Sequence, residues 1–310
     1  MFIEILSKVG VIFLVMAAGA LARRNNILDD AATRALARVV LVVALPLLYF
    51  HSLATEFTFG LLKTIWILPI FAFIMVLTGY GLSRLLSRLV HLDKPAKATF
   101  IYLATFTNCG FLAIPIASAL YGPEGIVRIV FFNVGFNLLY WTLGVWTLRT
   151  GSIRQDQGMP SPFKNLLNSG TIGLLCGITA GLVSIKLPGF LMDSAGLLGS
   201  ATIPLALLVV GSIMVTGDMR KVRAYKRPVI LIILCRLIVI PSFVYFVTGW
   251  FSFLTPLARS IIVLQSAMPS ASTTPIFTSR FGGDSQLASV GVFATHICSI
   301  ITVPFFISLL

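Results

Sequence analysis

Charge is scarce in this chain. Only 11% of its 310 residues are Asp, Glu, Lys or Arg, where soluble domains carry about one quarter, so water is not its main solvent. Histidine occurs three times (His51, His91, His296) and no HExxH motif is present. An intramembrane enzyme would need a nucleophile with its base, or a set of metal ligands, and neither can be assembled; no enzyme activity, cofactor or metal site is expected. The four cysteines, Cys109, Cys176, Cys235 and Cys298, stand far apart inside apolar runs. That spacing gives neither a disulfide framework nor a zinc site.

Apolar residues fill the space that charge leaves, at 57% of the chain. Ten runs approach or exceed the ~20 residues that cross a bilayer as a helix. They cover 3–21, 35–53, 61–82, 99–120, 126–148, 171–185, 194–215, 228–250, 258–277 and 287–310. None alternates apolar with polar residues as barrel strands do, so the expected fold is an all-α integral membrane protein of ten transmembrane helices. No stretch remains for a soluble domain. Ala20-Leu21-Ala22 resembles a signal-cleavage site, but Arg23-Arg24 lies on the wrong side of the run, and the first run is read as a retained span.

A net charge of +13 invites a nucleic-acid reading. The distribution excludes it. Seventeen of the 23 Lys and Arg residues fall in the loops after runs one, three, five, seven and nine, including the cluster Arg220, Lys221, Arg223, Lys226, Arg227. Five fall on the other side (Lys8, Lys63, Arg128, Lys186, Arg259) and Arg236 lies inside a run. By the positive-inside tendency this is a multi-pass protein of the cell (inner) membrane with both termini extracytoplasmic. All ten acidic residues, by contrast, fall in loops or at run ends. A membrane interior without carboxylates argues against a carboxylate proton relay and a cationic substrate. Coupling to Na⁺ stays open, because carbonyls and hydroxyls at a helix break can coordinate it.

A shift of 160 residues brings Ala98–Gly122 onto Ala258–Gly282: Pro115 meets Pro275, Ile116 meets Ile276, and Tyr121-Gly122 meets Phe281-Gly282. At nearly the same shift Leu45-Pro46-Leu47 meets Ile203-Pro204-Leu205. Five spans is an odd number, so the second copy is inverted, giving repeats at 1–155 and 156–310. Prolines at matching places in spans four and nine predict broken helices whose freed carbonyls and unpaired N–H groups form an anion site near the midplane. Pro115, Pro269 and Pro275 mark the breaks. Asn108-Cys109-Gly110 precedes one of them, and Ser270, Ser272, Thr273 and Thr274 lie between the prolines of the other. Hydroxyls and amides bind a carboxylate without adding negative charge; they can equally hold helices together. Asn133 and Asn137, one turn apart, and His296, which can also relay protons, stand second in rank. Arg236, roughly 12 Å into its span at helical rise, either assists anion access from the cytoplasmic side or snorkels to the interface.

These residues resemble the auxin efflux carrier family, which includes plant carriers and bacterial malate and malonate permeases. The matches are Asn108 with Gly110-Phe111 and Ala113-Ile114-Pro115, Pro269-Ser270-Ala271, Val43-Ala44-Leu45-Pro46, Ile203-Pro204-Leu205-Ala206, and both aromatic-Gly exits. The resemblance implies two inverted five-helix repeats with broken spans four and nine crossing, similar to bile-acid symporters. It further implies elevator-like alternating access, often as a homodimer, and a carboxylate bound at Asn108. The expected function is secondary transport of a small organic anion, a mono- or dicarboxylate, with H⁺ or Na⁺ as coupling ion; a sensor, scaffold or channel is the alternative. Span three lacks the acidic residue of auxin carriers, which turns the expectation toward a small bacterial carboxylate.

Overall fold

The computed structural model describes residues 2–152, 168–183, 187–215 and 225–310. Among the described residues the chain is helical, save for one isolated β-bridge. In order, the helices are α1 (Phe2–Arg24), α2 (Asp30–Glu56), α3 (Phe59–Leu89), α4 (Lys94–Thr105), α5 (Ala113–Gly151), α6 (Ser169–Val183), α7 (Gly189–Met214), α8 (Lys226–Gly249), α9 (Pro256–Ala267), α10 (Thr274–Phe281) and α11 (Ser285–Ser308). Seven of them, α1, α2, α3, α5, α7, α8 and α11, are long and apolar enough to cross a membrane; α6 is a shorter apolar helix. Large apolar side chains on their outer surfaces, such as Leu14, Leu197, Phe246 and Ile301, are exposed as lipid-facing residues would be.

Proline and glycine account for most interruptions. The expected fourth and ninth runs are each divided: α4 stops at Thr105 and α5 starts at Ala113, while α9 stops at Ala267 and α10 starts at Thr274. Pro115 and Pro275 sit in the first turns of α5 and α10, where a missing N–H costs nothing. Helix α5 then kinks at Gly122, whose φ of 61° is left-handed and open to glycine, just before Pro123. In α2 and α8 the ladder slips into π turns at Val40–Ala44 and Cys235–Val239, each two residues before a proline, Pro46 and Pro241. The cause is the same in both. A proline cannot donate to the carbonyl four residues back, so the preceding N–H reaches back five residues, Leu45 to Val40 and Ile240 to Cys235.

Two pairings dominate one side of the molecule, α1 against α7 and α2 against α6. Both depend on glycine. A Cβ on Gly211 would run into the Met16 carbonyl, and one on Gly173 into that of Pro46. Lipid supplies no hydrophobic drive between apolar helices, so close backbone approach at small residues supplies the van der Waals contact that holds them. On the other side, α3 packs on α5, and α9 lies against α5, α8 and α11.

The loop before α11 carries a cap that ties α11 to the start of α8. Asp284 accepts from the N–H groups of Gln286 and Leu287, and its other oxygen accepts from the Tyr225 hydroxyl at 2.8 Å. Burial first, then the Asp284 carboxylate, pushes the Tyr225 hydroxyl up to about 12. The folded state therefore keeps this proton through a range where the unfolded chain loses it. Stability should fall as pH rises from about 10 to about 12, and Tyr225→Phe should flatten that part of the melting-temperature profile. An unchanged alkaline slope in the variant would show that the contact is not formed.

Candidate functional site

The segments left over when α4 and α9 end, residues 106–112 and 268–273, meet face to face. Thr107 and Ser270 form an antiparallel bridge; the Asn108 N–H donates to the Pro269 carbonyl at 2.8 Å, and the Ala271 N–H to the Phe106 carbonyl at 3.0 Å. Broken backbone in hydrocarbon needs partners inside the protein. Here each break supplies the other's. Ser270 adds two more links, its hydroxyl donating to the Leu103 carbonyl (2.7 Å) and its N–H to the Thr295 hydroxyl (3.3 Å).

Arg236 is fully buried at this crossing, and it does not snorkel. The π turn aims its guanidinium at the carbonyls that end α4 and α9. Nε donates to Met268 O at 3.1 Å, one terminal nitrogen to Thr105 O at 3.2 Å, and the other to Ser266 O. The expected N-terminal groups of the half-helices are partly satisfied as well. The N–H groups of Ala113, Ile114 and Thr274 reach the carbonyls of Asn108, Gly110 and Ala271, and the prolines have none.

At the centre the Asn108 amide nitrogen lies 3.1 Å from Nε2 of His296, whose Nδ1 lies 2.8 Å from the Val292 carbonyl. A carbonyl only accepts, so Nδ1 holds the proton of the neutral ring and Nε2 accepts from Asn108. This orients the amide and leaves it one further N–H. Asn133 donates to the Cys109 carbonyl (3.2 Å) and accepts from Gln265 (3.1 Å), linking α5 to the first break and to the last turn of α9. Two buried acceptors in the same region, Thr107 Oγ1 and Gln265 Oε1, have no partner. On the same break Gly110 is half-buried, and a Cβ there would meet nothing within 4 Å.

The remaining sequence-derived residues divide by position. Cys109 and Gly110 line the less buried flank of the crossing, and Pro269 and Ser272 are buried within it. Thr273 is half-buried and bonds Tyr140 (2.7 Å), while the Thr274 hydroxyl turns back to the Ala271 carbonyl (2.6 Å). Asn137 is half-buried one turn beyond Asn133. Pro115 is buried and Pro275 half-buried. Sequence reasoning passed over Gln265, Tyr140 and Thr295. An amide inside the ninth apolar run was the available signal for the first; Tyr140 and Thr295 gave none, since lone hydroxyls are common in spans. Tyr140 belongs to a ring cluster with Tyr102, Phe106, Phe136 and Phe277, with centroids 4.8 to 6.2 Å apart.

Residues 4–307 match the family described as "membrane transport protein". The chain belongs to this family. The auxin efflux carrier resemblance is thereby borne out. The chain is similar to an "uncharacterized transporter" of Methanothermobacter thermautotrophicus, 27% identical over 89% of this chain and 88% of the relative. Another of that description, from Methanocaldococcus jannaschii, is 23% identical over 94% of each. The protein is thus a multi-pass member of a membrane transport family, working in lipid on a transported substrate.

Proposed function

We propose that the chain is a secondary transporter of a small organic anion, a mono- or dicarboxylate, bound where the two helix breaks cross. The observation that carries this reading is the crossing itself. It is a hydrogen-bonded junction of two interrupted helices at a buried site, with the Asn108 amide at its centre and open space at Gly110. A carboxylate there would meet the second Asn108 N–H, the amides of Cys109 and Gly110, and the Ser272 and Thr273 hydroxyls. The ring cluster beside Thr273 offers an apolar wall for the rest of the substrate.

The reading includes ten membrane crossings in two inverted sets of five, at 1–155 and 156–310; their boundary lies outside the described residues. Packing supports it, since α1 on α7 and α2 on α6 exchange under the repeat relation. The set α1, α2, α6 and α7 would be the scaffold and the rest the moving domain, in an elevator-like cycle. The protein would be a carrier and not an enzyme, a homodimer in the cell inner membrane with both termini outside, coupled to H⁺ or Na⁺.

A thermal-shift screen of the detergent-purified chain against a carboxylate panel, followed by counterflow in proteoliposomes, tests the assignment. A true substrate at 100 times its Kd should add about 2.7 kcal/mol of stability and exchange with saturable kinetics. Flux that rises linearly with concentration and never saturates would identify a channel instead.

A further inference from the structure

The Arg236 guanidinium is deeply buried without a carboxylate. The ion pairs among the described residues are Arg23–Asp30, between the end of α1 and the start of α2, and Arg128–Glu124, just past the Gly122 kink of α5. Its counter-charge is backbone. Thr105 is the last residue of α4, and Ser266 and Met268 bracket the end of α9, so the three carbonyls bound by Arg236 belong to the C-terminal ends of two half-helices. Each such end carries about half a negative charge, and two together match one guanidinium.

Carbonyls converging from half-helix C-termini are also the ligand set with which broken-helix carriers hold an alkali cation. Here that set is filled. All three nitrogens of Arg236 have carbonyl partners, and the side chain is entirely shielded. Pro241 supports the arrangement from within the sequence, because the π turn it imposes on α8 is the one that contains Arg236.

We propose that Arg236 is a resident, tethered cation in the seat a coupling metal ion would otherwise take, so that anion binding at the crossing needs no sodium. The sodium clause rests on the transport reading above; the cation seat does not. Of the two candidate coupling ions, the proposal leaves H⁺.

The test has a transport arm and a stability arm, both on the full chain. In proteoliposomes, wild-type uptake of the carboxylate found by the screen should be the same within a factor of two when sodium is replaced by choline. Arg236→Ala should lower uptake at least tenfold, and millimolar guanidinium should restore a substantial part of it. In detergent, guanidinium should raise the melting temperature of Arg236→Ala and leave the wild type unmoved, which needs no substrate at all. Should Arg236→Ala fail to fold, Arg236→Lys and Arg236→Met decide the matter: charge in the seat predicts that only the lysine variant is recovered folded. A tenfold sodium dependence of the wild type would overturn the sodium clause. An Arg236→Met variant as stable and active as Arg236→Lys, or an Arg236→Ala variant indifferent to guanidinium, would overturn the cation seat. If the wild type moves no carboxylate, the transport reading fails while the guanidinium-dependent stability of Arg236→Ala still stands or falls by itself.

Discussion

Replacing Asn108 by Ala should reduce carboxylate binding and uptake by about 10- to 100-fold, because hydrogen bonds to a charged group contribute about 1.5–3 kcal/mol. The amide is singular in the site. It lies on the break that follows α4, only 3% exposed, and its orientation is fixed by donation to His296 Nε2. Removing it also strands that nitrogen in the interior, so a loss of about 1–3 kcal/mol of stability should accompany the transport defect. Asn108→Asp keeps the shape but turns an acceptor oxygen toward His296 Nε2 and a negative charge toward the substrate, so it should lower uptake at least as far as Ala. Counterflow measurements on variants matched for their monodisperse fraction would decide. Uptake by Asn108→Ala at the wild-type rate would remove Asn108 from the binding site.

The second large effect concerns folding. Gly211→Leu should prevent recovery of a monodisperse protein, whereas Gly10→Ala on α1 should be silent. A Cβ at Gly211 meets the Met16 backbone, while one at Gly10 meets nothing within 4 Å. Overpacking of a side chain costs about 1–3 kcal/mol where neighbours can move. Here the obstacle is main chain, so α1 and α7 must part along their whole seam and forfeit the contacts that replace a hydrophobic drive in lipid. Size-exclusion profiles and melting curves of the two variants test this, and a well-folded Gly211→Leu protein would show that the seam is not under this constraint.

Helical class, the approximate bounds of the long apolar helices and the two interruptions were legible in the residues, though the interruptions were displaced. Prolines 115 and 275 suggested breaks at their own positions, yet each sits inside the turn that restarts the helix, and the irregular backbone lies before it, at 106–112 and 268–273. The rule that a proline is tolerated in the first helical turn explains the displacement. Arg236 shows the opposite limit. Its depth was readable from its place in a span, but a snorkelling and a buried arginine have the same sequence, and only the π turn before Pro241 and the carbonyls it faces distinguish them.

The sequence by itself determined the solvent, the helical state, the basic charge of the loops and the runs in which the ladder must fail, though not the residues at which it does. These follow from local chemistry: apolar length, the missing proline donor and the clustering of basic residues. The tertiary structure alone decided which polar groups meet. Asn108 finds His296 from 188 residues away, and Gln265 finds Asn133 from 132. In water a helix announces its buried face by being apolar on one side. In lipid both the outside and the inside are apolar, so the helices carry little such mark, and their rotation is settled only when glycine seams and the pairing of broken backbone lock them together.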